Sequence, residues 1–159
     1  MKSIKFLLIA ITLIFCGLML GGCKSNDLLT NNPDSEDVKN AIVSIEHIVE
    51  VEIVTEENDP NGRLGEQGGY TGALYFTYDL LEGFSGRPTE IGTIGGGCIE
   101  IYENSEDAEA RNNYLSVFDG ALFVTGSHIV VGTLVIRTSS NLTAKQQDIL
   151  EKAIIDALT

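Results

Sequence analysis

Apolar positions along the chain change period several times, and each change marks an element. Over "DSEDVKNAIVSIEHIV", residues 34–49, Val38, Ala41, Ile42, Ile45 and Ile48 or Val49 recur at helical spacing. Glu36 and Asp37 fall in the first turn, where the helix dipole favours acids. "VEVEIVT" then alternates, with Val49, Val51 and Ile53 on one face and Glu50 and Glu52 on the other, which predicts a half-buried strand. The switch between the two periods falls near residues 47–50 with no Gly or Pro to mark it.

"YTGALYFTYDL", residues 70–80, reads as a second strand with Tyr70, Leu74, Phe76 and Tyr78 on one side. "GGCIEIYEN" predicts a third, which sets Ile99 and Ile101 against Cys98, Glu100 and Tyr102. "NSEDAEARNNYLSVFDG" is a helix capped by Asn104 or Ser105, with acids in its first turn and Gly120 at its exit. "SHIVVGTLVIRTS" is the most apolar stretch of the body and predicts a single central strand. "NLTAKQQDILEKAIIDAL" opens with Thr143 and Gln146 at capping-box spacing, and then carries Ile149, Leu150, Ala153, Ile154, Ala157 and Leu158 as one stripe.

The expected fold class is α+β: a mostly antiparallel four-stranded sheet packed with about three helices, as one domain over residues 34–159. The preferred topology is a ferredoxin-like variant, in which strand 97–103, helix 105–118 and strand 128–137 form a right-handed crossover. Two long irregular segments, 56–69 and 80–96, interrupt the pattern. Connections of that length in a compact domain are usually functional, so they are the expected working surface.

The amino end follows a different rule. Lys2 and Lys5 precede residues 6–20, "FLLIAITLIFCGLML", an uncharged run shorter than the roughly 20 residues a membrane helix needs. It ends in Leu20-Gly21-Gly22-Cys23, after which the chain turns polar. This motif resembles the lipobox of bacterial lipoprotein precursors. The resemblance implies a signal peptide over 1–22, cleavage before Cys23 and a diacylglyceryl group on the Cys23 sulfur. Residues 23–33 would then be the lipidated cysteine and a polar tether. The partner so implied is the membrane, held through the anchor on its extracytoplasmic side.

Composition narrows the chemistry. The formal net charge is -13, and loss of residues 1–22 would leave eight basic residues against 23 acids, a charge of -15. With so few, scattered Lys and Arg, nucleic acid is excluded as a partner. Of three cysteines only Cys98 belongs to the body, so no disulfide framework holds it, and two histidines with that one thiol make a poor zinc set.

"EENDPNG" gathers Glu56, Glu57, Asp59 and Asn61, but without EF-hand spacing, and turn chemistry accounts for the same residues. "GTIGGGC" runs into a strand rather than a helix, which reads as close backbone approach rather than a phosphate loop. Cys98 with His47 or His128 as a thiol and base, and Ser85 in "GFSG", lack the surrounding pattern of a nucleophile. No catalytic residue, metal site or cofactor is assigned.

"NDPNGRLGEQGGYTGALYF" and "GGCIEIYENSEDAEAR" together resemble a group of small exported bacterial proteins, often lipoproteins. That resemblance implies no activity and carries over no functional residues. The candidate binding loop comprises Asn58, Asp59, Asn61, Arg63, Leu64, Gly65 and Tyr70. The expected role is a membrane-anchored, non-enzymatic module that binds an envelope protein or small ligand. The competing expectations are an envelope hydrolase using carboxylates and a purely structural lipoprotein.

Overall fold

The computed structural model describes residues 29–81, 93–119 and 126–159. The leader, Cys23 and its motif, most of segment 80–96 including Ser85, and Gly120 lie outside the described residues. Helices α1 (Ser35–Ile42), α2 (Ser105–Ser116) and α3 (Ala144–Leu158) accompany strands β1 (Ile48–Ile53), β2 (Gly72–Tyr78), β3 (Gly96–Ile101), β4 (His128–Val131) and β5 (Leu134–Thr138). The strands form one sheet in the order β1-β2-β3-β5-β4, antiparallel at every pairing. The fold class is α+β, as expected, but the sheet has five strands instead of four.

The extra strand comes from the apolar stretch that reads as one. Gly132 adopts φ +62°, which lets the chain reverse between Val131 and Leu134 and pair with itself. Periodicity does not reveal that fold-back, because apolar residues flank the turn on both sides. The ferredoxin-like topology is also corrected. It needs two split βαβ units, whereas β1, β2 and β3 pair with one another in chain order, each antiparallel to the next, as a meander. Among the described residues one such unit is present. The chain leaves β3, runs through α2 and returns in β4, and β5 then fills the gap between β3 and β4.

Helices cover both faces. Val38 and Ile42 of α1, with Leu150, Ile154 and Leu158 of α3, pack on Leu74, Phe76, Ile99, Ile101, Leu134 and Ile136. On the opposite face Ala108 and Leu115 of α2 pack with Ala73, Tyr75, Cys98 and Val135. Coverage on both sides explains why every residue of β2 and β3 is buried. The two faces of β3 fall as its alternation predicts, whereas Tyr70 does not join Leu74, Phe76 and Tyr78. It precedes β2 and packs with the α2 side.

Local signals are obeyed at the helix ends. Asp34 and Asn104 cap α1 and α2, and the Thr143–Gln146 capping box forms at α3. Ile149, expected in the α3 stripe, instead lies on the solvent side at 55 % exposure. Helix α1 stops at Ile42, short of its apolar repeat. The unmarked helix-to-strand switch is made at His47, which takes φ +72° while its Nδ1 bonds the Asp79 carboxylate at 2.8 Å.

The expected tether is partly docked. The Leu29 N–H donates to the Leu158 carbonyl at 2.9 Å, and the Thr133 N–H donates to the Thr30 carbonyl at 2.9 Å. The Asn32 N–H donates to the Thr133 hydroxyl, and the Thr71 hydroxyl donates to the Asn32 side chain at 2.9 Å. Residues 29–33 are thereby held at the sheet end where β2 starts and β3 stops. Only residues 24–28 separate Cys23 from this docked segment, a reach of about 20 Å at full extension.

Candidate functional site

The loop 56–69 is organised by one carboxylate. Asp59 Oδ1 accepts from the Asn61 N–H at 3.0 Å and from the Tyr70 hydroxyl; Oδ2 accepts from the N–H groups of Arg63 at 2.6 Å and Leu64 at 2.8 Å. Partial burial pushes the Asp59 carboxyl up, but the hydrogen bonds from Tyr70, Leu64, Asn61 and Arg63 outweigh it and hold the group down at about 2. Burial, then the bond to Asp59, pushes the Tyr70 hydroxyl well above its ordinary value. Asp59 is therefore a structural hub whose lone pairs point into its own loop, which removes it as a ligand for a hard cation. Among the described residues no three His, Cys, Asp or Glu side chains are grouped so as to hold a metal ion.

The other loop candidates divide accordingly. The Asn58 side chain accepts from the Thr55 N–H at 2.6 Å and donates to Glu52 at 2.8 Å, closing the turn after β1. Leu64 packs on the α2-side core, and the Gly65 N–H donates to the Tyr70 carbonyl at 2.9 Å. Asn58, Asp59, Leu64, Gly65 and Tyr70 thus build the loop. Asn61 and Arg63 instead line a cleft of about 490 Å³ between the loop and α2.

The far wall of that cleft was not legible as a site. It consists of Tyr102, just after β3, and of Asp107, Arg111 and Tyr114, which follow one face of α2 at helical spacing. Beneath it lies Glu100, 2 % exposed on the central strand. Arg111 donates to Glu100 through Nε at 2.8 Å and another guanidinium nitrogen at 2.9 Å. Arg137 of β5 donates at 2.9 Å and the Tyr102 hydroxyl at 2.8 Å. Burial acts to raise the Glu100 carboxyl, but the bond and charge of Arg111, the charge of Arg137 and the Tyr102 bond win and hold it below the ordinary range.

This cluster explains the composition of α2. Its buried apolar residues are only Ala108 and Leu115, because part of the surface beneath it is the charged Glu100–Arg137 pair and Arg111 is the side chain that meets it. The available signal was charge in the wrong place: an acid in the middle of "CIEIY" and an arginine in "LVIRT".

Arg111 has a second contact, its guanidinium carbon lying 5.6 Å from the centroid of the Tyr114 ring. Tyr114 is 57 % exposed and meets Phe118 edge-on at 5.2 Å, giving the cleft an aromatic lip. Arg63 donates to the Gly68 carbonyl at 3.0 Å and makes no ion pair among the described residues. Three of the four arginines in the sequence therefore line or underlie this one cleft of an otherwise acidic chain.

The thiol alternative fails on burial. Cys98 is 1 % exposed, and its pKa is pushed up to about 12 by desolvation, against the lowering effect of Arg137. His128 bonds Asn112 at 2.7 Å and Asp119 at 3.1 Å, and His47 bonds Asp79 at 2.8 Å. No helix among the described residues is long and apolar enough to cross a membrane.

Compared with known protein families, curated proteins and solved structures, the chain matches none. The class that fold and cleft define is an α+β domain with helices on both faces of an antiparallel sheet and an arginine-walled cleft beside α2.

Proposed function

We propose that the chain is a lipid-anchored extracytoplasmic lipoprotein whose domain captures a small oxyanion-bearing ligand in the cleft between loop 56–69 and α2, without turning it over. The observation that carries this reading is the bracing of Arg111. Glu100 fixes its guanidinium through two bonds, so the remaining Nη donors reach the cleft from a side chain whose orientation is already set. Arg63 supplies a second positive charge across the same space. Such a pair suits a carboxylate or phosphate.

A hydrolase using carboxylates needs a carboxyl held protonated near neutral pH as general acid. The two perturbed carboxyls near the cleft, Asp59 and Glu100, are both pushed the other way. That favours binding over turnover.

Two experiments test the reading. Titration calorimetry of the purified full chain with inorganic phosphate is expected to show saturable binding, weakened about tenfold by Arg63→Gln through loss of a charge-assisted hydrogen bond. The Arg63 side chain is exposed and makes one hydrogen bond, so the unfolding midpoint should barely move. Equal affinity in both proteins would remove the cleft as the site. For the anchor, growth with a labelled fatty acid is expected to label the wild-type chain and leave Cys23→Ala unlabelled; label retained in the variant ends the lipoprotein reading.

A further inference from the structure

The arginine-walled cleft adjoins a second of about 510 Å³, the two sharing Gly68 and Asp107 in their walls. The second has the opposite character: Glu66, Glu103 and Asp107 line it, and no arginine or lysine does. Asp107 stands at the junction. It lies four residues before Arg111 on the same helix face, the usual geometry of an intrahelical ion pair. No such pair forms, because Arg111 is turned inward to Glu100.

Asp107 Oδ2 accepts from the Asn104 side chain at 2.9 Å, while Oδ1 has no donor among the described residues. Arg63, on the facing wall, makes no ion pair either. Opposite charges thus stand in two adjoining clefts without neutralising each other, Arg63 and Arg111 in the basic one and Glu103 in the acidic one, with Asp107 in the wall of both.

Resting on the anion-binding reading above, we propose that the ligand is a zwitterion: a small molecule whose oxyanion lies between Arg63 and Arg111 and whose primary ammonium lies against Asp107. An ammonium there exchanges hydration for the unpaired Oδ1, with Glu103 and Glu66 adding favourable charge at longer range. A simple anion would meet the same carboxylates as a penalty. The acidic lobe is therefore a selectivity element, weakening the binding of ligands that carry only the negative end.

The chemistry is shared by a free amino acid-like solute and by an ethanolamine-type lipid headgroup. The acidic lobe is lined by Thr71, whose side chain binds docked Asn32, so it opens beside the segment leading to Cys23. Either source could reach it from there.

The test uses the purified full chain in detergent and two matched probe pairs, β-alanine against propionate and O-phosphoethanolamine against inorganic phosphate. Each zwitterion is expected to bind at least tenfold more tightly than its amine-free partner. Asp107→Asn should abolish that ratio while leaving propionate and phosphate affinities within a few-fold of wild type. Glu109→Gln, outside both clefts on the same helix, serves as the control and should leave the ratio unchanged.

If phosphate and propionate bind as tightly as the zwitterions, this proposal falls while anion capture stands. If no probe binds, both fall together. Competition by phosphatidylethanolamine vesicles would assign the zwitterion to a headgroup, and competition by the soluble probes alone to a free solute; both outcomes support the proposal.

Discussion

Glu100→Gln is expected to destabilise the domain by about 3 to 5 kcal/mol, read from the urea midpoint at pH 7. The carboxylate is buried on the central strand and is the shared acceptor for Arg111, Arg137 and Tyr102. An amide is neutral and turns an N–H₂ toward guanidinium groups that can only donate, so two largely buried guanidinium charges lose their counter-ion. Their own flanks are 17 % and 16 % exposed, too little for water to compensate fully. A loss below about 1 kcal/mol would mean that the guanidinium groups find water or new partners, and the bracing of Arg111 would go with it.

The same carboxylate sets an acid limb. Its folded pKa lies below the unfolded value, so the unfolded state binds the extra proton and the stabilisation is complete above the unfolded pKa. It is lost as pH falls from about 4 through the lower folded value. The Gln variant, lacking that titration, should show a flatter dependence of stability on pH over this window.

Gly97→Ala is expected to cost about 3 kcal/mol, measured in the same way. Gly97 pairs with Phe76 on one side and Thr138 on the other. A Cβ there would fall well inside 3.0 Å of the Arg137 carbonyl oxygen and of the Phe76 ring. The ring can turn, but the carbonyl belongs to the β3–β5 ladder and yields only if the strands part. Combining Gly97→Ala with Phe76→Leu should therefore cost less than the sum of the two single changes without restoring wild-type stability. Strict additivity would show that the ring is not part of the obstruction. The glycine run that suggests a phosphate loop by its letters serves instead to let a ring and a neighbouring strand close in.

How far the sequence reached depended on the range of the interaction. The faces of β3, the Asn104 cap and the Thr143–Gln146 box were legible because each depends on neighbours within a turn or a pleat. The loop 56–69 was legible as a candidate surface for the same reason, since its turn chemistry is local. Within it, most of the chosen residues proved to be scaffolding around Asp59, and only Asn61 and Arg63 line the cleft. Side chains that shape a loop and side chains that face outward from it have the same local signature.

By itself the sequence determined the α+β class, the caps, the inward and outward positions of β3 and the strongly acidic surface, all of which follow from short-range periodicity and composition. Tertiary structure alone decided the reversal at Gly132, the side of the sheet that Tyr70 and α2 occupy, and the meeting of Glu100 with Arg111 and Arg137, 11 and 37 residues away. A buried charge is tolerable only where its partners converge. That convergence is a property of strand order and helix placement, and no period along the chain encodes it.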